Sequence, residues 1–140
     1  MTQTIDTPKF FDLHASGVGY LKRVRLVEPK RGKPFLAVDI SALHGSIDDV
    51  EYTRFDCRVS GSEAKDTIIS LKDAIEDKDT KVLVGFKVGD LYTETFTYKK
   101  GKNAGQMGVS LKARLLRIYW AKVNGKRWPL PSHEERQKAA

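Results

Sequence analysis

Apolar and polar positions alternate with a period of two along most of this chain, and that pattern predicts strands. Gly17 to Glu28 (GVGYLKRVRLVE) is rich in β-branched and apolar residues and reads as a first strand. Pro29-Lys30-Arg31-Gly32-Lys33-Pro34 is turn chemistry between two prolines. Phe35 to Leu43 alternates, with Leu36, Val38, Ile40 and Ala42 on one face, and a polar loop, His44 to Asp49, follows. Val50 to Val59 predicts a third strand, with Phe55, Cys57 and Val59 facing the core and Tyr52, Arg54, Asp56 and Arg58 facing away.

The period then changes. Ala64, Ile68, Leu71 and Ile75 recur at the spacing of one helical stripe, with Ser62 in an N-cap position and Glu63 and Asp66 near the start, where the helix dipole favours acids. A fourth strand is expected from Lys81 to Tyr98, bent or bulged near Gly85 and Gly89. The Gly-rich basic stretch KKGKNAGQMG, residues 99–108, reads as a hairpin loop, and Val109 to Trp120 as a fifth strand with Val109, Leu111, Ala113 and Leu115 on one face and Lys112 and Arg114 on the other. The order is therefore all-β with one helix, placed between strands 3 and 4. A five-stranded Greek-key barrel with that helix is the OB-fold. The domain is expected over residues 17–121, after an N-terminal lead-in, 1–16, and before a basic C-terminal tail, 122–140.

At 140 residues one hydrophobic core is affordable without staples. No apolar run approaches the length of a membrane span, and the N-terminus lacks the basic and apolar regions of a signal peptide, so a cytoplasmic protein with no membrane contact is expected. The single cysteine, Cys57, precludes an internal disulfide and suits a reducing compartment. Charge is uneven: residues 1–98 hold 14 basic and 16 acidic residues, net −2, whereas residues 99–140 hold 11 and 2, net +9. A neutral body with a basic C-terminal third has a preferred side for a polyanion.

Catalytic chemistry is not assembled. His14, His44 and His133 lie 30 and 89 residues apart, with no local His/Cys spacing for zinc, and Cys57 on an apolar strand face reads as a small core residue. GKNAGQMG lacks the spacing of a phosphate-binding loop, and Gly17-Val18-Gly19 lacks the third glycine of a dinucleotide fingerprint. Asp48, Asp49 and Glu51 read as a solvated loop. No enzyme activity, metal or cofactor is expected.

Rings and cations, by contrast, share the polar strand faces. Tyr52, Arg54 and Arg58 lie on one face of strand 3. Tyr92, Phe96 and Tyr98 fall at even positions of strand 4 and run into Lys99, Lys100 and Lys102. Lys112 and Arg114 share the outward face of strand 5. Unpaired nucleic acid is held by such a surface, since bases stack on rings and cations follow phosphates. The same rings also stabilise sheets with no ligand. Strand 4 leaves the choice open: its even positions continue from Val82, Val84, Phe86 and Val88, so Tyr92 and Phe96 point inward unless a bulge at Gly89 shifts the register.

The run Gly19-Tyr20-Leu21-Lys22, then Arg31-Gly32-Lys33-Pro34-Phe35-Leu36-Ala37-Val38, then Glu51-Tyr52-Thr53-Arg54-Phe55 resembles bacterial single-stranded DNA-binding proteins, and the resemblance extends over roughly residues 17–118. In particular the chain resembles the small replication-associated proteins of integrative conjugative elements. The resemblance implies an OB-fold, stacking aromatics at Tyr52 and near Tyr92, and assembly into a homo-oligomer, a dimer or tetramer. It departs from the family in lacking an aromatic near Arg58 and in ending in HEERQKAA, without an acidic Phe-tipped peptide that recruits replication proteins. The expectation is a non-enzymatic single-stranded DNA-binding protein acting in replication or transfer of a mobile element. The alternative is an OB-fold protein-interaction module of such a complex.

Overall fold

The alternating segments form strands and the helical stripe forms the one α-helix. The computed structural model describes residues 11–130, in the order β1 (His14–Val27), β2 (Phe35–Ser46), β3 (Asp49–Val59), α1 (Ser62–Glu76), β4 (Val82–Thr97), β5 (Met107–Val123) and β6 (Lys126–Trp128). Strand β1 pairs antiparallel with both β2 and β4, β2 with β3, and β4 with β5. A parallel pairing of β3 with β5, Phe55 beside Leu111 through Val59 beside Leu115, closes the barrel. Five strands in the cyclic order β1-β2-β3-β5-β4, with the helix between β3 and β4, make the OB-fold that the pattern predicted. No helix among the described residues is long and apolar enough to cross a membrane.

The core is built from the expected faces. Val38, Ile40, Cys57, Val59, Val82, Val84, Phe86, Val88, Ala113 and Leu115 are buried inside the barrel. Ala64, Ile68, Leu71 and Ile75 of α1 join them, and α1 packs against β1, β4 and β5. Burial pushes the Cys57 thiol up to about 12, with the nearby Asp56 and Asp39 charges adding to the rise.

The structure departs locally from the sequence pattern: β2 extends to Ser46 and β3 starts at Asp49, both within the stretch expected as a polar loop. Gly61, and not Ser62, occupies the N-cap, at φ 87° and ψ 153°, and its carbonyl accepts the Lys65 N–H at 3.1 Å. The chain leaves β3 through a conformation that only glycine takes readily, which moves Ser62 into the first turn. At the other end, β5 runs to Val123, and Asn124 and Gly125, both at positive φ, turn it into β6. Residues 122–123 and 126–128, expected in the tail, are therefore part of the sheet, and Trp128 packs on the core. Residues 14–16 of the expected lead-in pair with β4 as the start of β1. Residues 1–10 of the lead-in and residues 131–140 of the tail, with His133, lie outside the described residues.

Candidate nucleic-acid interface

The register of the barrel decides which side chains share its outer face. It shifts at Gly85/Phe86, Lys87/Val88 and Gly89/Tyr92 of β4 and at Lys22/Arg25 of β1, and the last two of these set the face described here. On β4, Gly89 pairs with Arg114 and Tyr92 with Lys112, so three steps on one strand match two on the other. Asp90 takes φ 52° in the extra position. Past the bulge the parity of β4 reverses. Leu91 packs on the core, and Tyr92 stands outside with 57% of its surface exposed. The bulge at Gly89 thus answers the question that alternation left open. On β1, Lys22 pairs with Asp39 but Arg25 with Ala37, and Arg23 takes φ 53° between them.

One lateral row then crosses all five barrel strands: Lys22 beside Asp39, Asp39 beside Asp56, Asp56 beside Lys112, and Lys112 beside Tyr92. Two carboxylates opposite each other repel, and here cations separate them. The Arg25 guanidinium donates to Asp39 Oδ1 at 3.1 Å and to Asp56 Oδ1 at 2.5 Å, and Lys112 Nζ donates to Asp56 Oδ2 at 2.5 Å. Arg23 adds a salt bridge to Asp39 at 3.1 Å. Burial raises the Asp56 carboxyl pKa, but the Lys112 and Arg25 cations outweigh it and hold the group below its ordinary value. Before the bulge the odd positions of β1, such as Leu21, face the core. Past it Val24 packs inward and Arg25 turns outward, so the bulge at Arg23 is what brings the two arginines to the outer side of the sheet. Sequence reading missed this cluster, because it treated β1 as a plain strand and Asp56 as one more outward residue.

The eleven side chains expected to contact a ligand fall into three groups. Tyr52 and Arg54 are exposed on β3. Tyr52 has 57% of its surface accessible, and Arg54 forms no salt bridge among the described residues. Three cations are engaged within the protein. Lys112 is held by Asp56, with Glu94 at 4.0 Å, Arg114 pairs with Asp90 at 3.2 Å, and Arg58 lies 4.4 Å over the Phe35 ring. The third group belongs to the β4–β5 hairpin, which projects beyond the point where β4 leaves β1.

On that hairpin Tyr92, Phe96 and Tyr98 occupy one face, as their spacing requires. The Phe96 and Tyr98 rings meet edge-on at 4.8 Å and 68°. Both cover Gly108, where a Cβ would come within 2.5 Å of Phe96 and 2.8 Å of Tyr98. Phe96 is therefore half-buried against its own hairpin, whereas Tyr98 keeps 39% exposure. Lys99, Lys100 and Lys102 stand exposed at the tip, with no salt bridge among the described residues. The tip itself is ordered by hydrogen bonds: Tyr98 N–H donates to Gln106 O at 2.9 Å and Gly105 N–H to Tyr98 O at 2.8 Å.

Tyr52 and Tyr92 are two strands apart, and Tyr52 lies four residues along β3 from the row containing Tyr92. With strands about 4.8 Å apart and a rise of about 3.3 Å, the separation is roughly 16 Å. The two rings cannot sandwich one base, so each would hold a different base. No group of three or more His, Cys, Asp or Glu residues among the described residues is arranged to hold a metal ion.

Residues 4–137 match the family described as "Protein of unknown function (DUF3577)". The chain belongs to this family. No curated protein matches it. Among solved structures it is similar to a mitochondrial single-stranded DNA-binding protein from S. cerevisiae, at 13% identity and a TM-score of 0.36, over 83% of this chain and 99% of the other. The family description assigns no ligand, so the reading of the face rests on its own side chains.

Proposed function

We propose that this member of the family binds single-stranded DNA without catalysis, through bases stacked on Tyr52 and Tyr92 and phosphates drawn to Arg54 and the hairpin lysines. The observation that carries the reading is the pair of half-exposed tyrosines on one outer barrel face, one of them turned outward only by the bulge after Gly89. A core-packing role for these rings would have left them buried. Arg54, Lys99, Lys100 and Lys102 have charges to give, while the centre of the face is neutralised by Asp39 and Asp56. Phosphates are therefore expected at the rim of the face and bases over its rings, which favours strand binding with little dependence on sequence. Arg58, Arg114, Phe96 and Tyr98 support the same surface from its edges.

The proposal places the protein in replication or transfer of a mobile element, in the cytoplasm, and as a homo-oligomer, dimer or tetramer. Light scattering of the purified chain measures the last directly. The binding test is an anisotropy titration with labelled oligo-dT and a matched duplex across a salt series. Preference for the single strand, with a log–log salt slope of about −0.7 per phosphate contacted, is expected. Some binding should persist at high salt, because stacking is not screened. Equal and weak binding to both probes that vanishes by about 0.3 M salt would leave only a generic polycation and return the face to a protein-interaction module.

A further inference from the structure

A groove of about 660 Å³ opens beside Tyr52, within the size range of sites that take small organic groups. Its floor is Tyr20, Ser41 and Tyr52 on the outer sheet face, and its far wall is the segment joining α1 to β4, with two acids, Glu76 and Asp77, and two amines, Lys78 and Lys81. Tyr20 pairs with Ser41, which pairs with Arg54, so the floor continues the face already described.

The wall is fixed. Asp77 Oδ1 accepts the Asp79 N–H at 3.1 Å and its Oδ2 accepts the Thr80 hydroxyl at 2.9 Å, so this acid is turned into its own loop. At the β4 end, Lys81 N–H donates to Asn124 Oδ1 at 2.9 Å, and Asn124 N–H donates back to Lys81 O at 2.9 Å. Those bonds tie the wall to the β5–β6 turn, so the groove is formed before anything binds. Lys22, Lys78 and Lys81 form no salt bridge among the described residues. A tyrosine floor with amines around it suits a base and its flanking phosphates.

We infer that this groove takes the continuation of the same bound strand, with one base on Tyr20 beside Tyr52 and phosphates at Lys22, Lys78 and Lys81. The inference rests on the single-strand reading above and makes the α1–β4 segment a nucleic-acid contact, which nothing in the sequence pattern pointed to. Its test uses the full chain, oligo-dT long enough to span face and groove, and oligonucleotides carrying 5-iododeoxyuridine at successive positions. The exposed double variant Lys78→Ala/Lys81→Ala is expected to weaken binding about tenfold at low salt and to reduce the log–log slope by about 1.4, or about 0.7 for each phosphate lost. Photo-crosslinks from one end of the oligonucleotide should map to the peptide containing Tyr20, and Tyr20→Phe should retain affinity that Tyr20→Ala loses. Wild-type affinity and slope in the lysine variant, with crosslinks confined to peptides containing Tyr52, Tyr92 and the hairpin, would overturn the groove and leave the face standing. A wild-type protein that binds no single strand would overturn both.

Discussion

Replacing Asp56 by Asn tests whether the carboxylate row across the outer face holds the barrel together. Asp56 accepts from Lys112 and from Arg25, both at 2.5 Å, with 18% of its side chain exposed. Asparagine keeps the shape and one acceptor but removes the charge. Asp56 accepts through both oxygens whereas the amide keeps one, so one charge-assisted hydrogen bond, contributing about 1.5–3 kcal/mol, is lost. Lys112 then keeps only Glu94, at 4.0 Å, while Arg25 retains Asp39 at 3.1 Å, for a loss of about 2–3 kcal/mol in all. For a domain of this size that lowers Tm by roughly 6–12 °C. The sign of the pH dependence follows from the depressed pKa of Asp56, which lies below its ordinary 3.8. Its stabilisation is fully present above the unfolded-state value and is lost as pH falls through the folded one. Thermal melts of wild type and Asp56→Asn at pH 7, 5, 4 and 3 should therefore show a constant gap down to about pH 4 that closes below it. Equal melting temperatures at pH 7, or a gap that widens in acid, would refute the role assigned to Asp56.

Tyr52→Ala and Tyr92→Ala are each expected to weaken oligo-dT binding by about 1–3 kcal/mol with an unchanged circular dichroism spectrum; an unchanged affinity in a folded variant removes that ring from the interface. Gly61→Ala forces a side chain into φ 87°, ψ 153° and should cost about 1–3 kcal/mol in urea denaturation, with ligand affinity untouched. Cys57, fully buried and with its thiol held up to about 12, should resist a thiol-specific reagent at pH 8 until denaturant is added, and rapid labelling of the native protein would contradict the core position.

The fold was legible because its signals are local. Alternation in residues 35–43 and 50–59, the stripe Ala64-Ile68-Leu71-Ile75, and glycines at the bends each depend on neighbours in the chain, and the order of elements selects the barrel. The outward position of Tyr52 was legible for the same reason. Lys112, Arg114 and Arg58 were legible as outward cations, but nothing local says that Asp56, Asp90 and the Phe35 ring occupy them. The β5–β6 hairpin was not legible, because the strand after the Asn124-Gly125 turn has only three residues.

By itself, then, the sequence determined which segments are strands, which faces are apolar, and that the C-terminal third is basic. The tertiary structure alone decided which side chains stand together. A single extra residue after Gly89 reverses the parity of β4 and sends Tyr92 outward, and another at Arg23 brings two arginines to one carboxylate pair. Residues 22, 39, 56, 92 and 112 share a row only because the parallel pairing of β3 with β5 closes the sheet. Periodicity repeats along one strand, whereas register is a relation between strands that turns, bulges and closure set together.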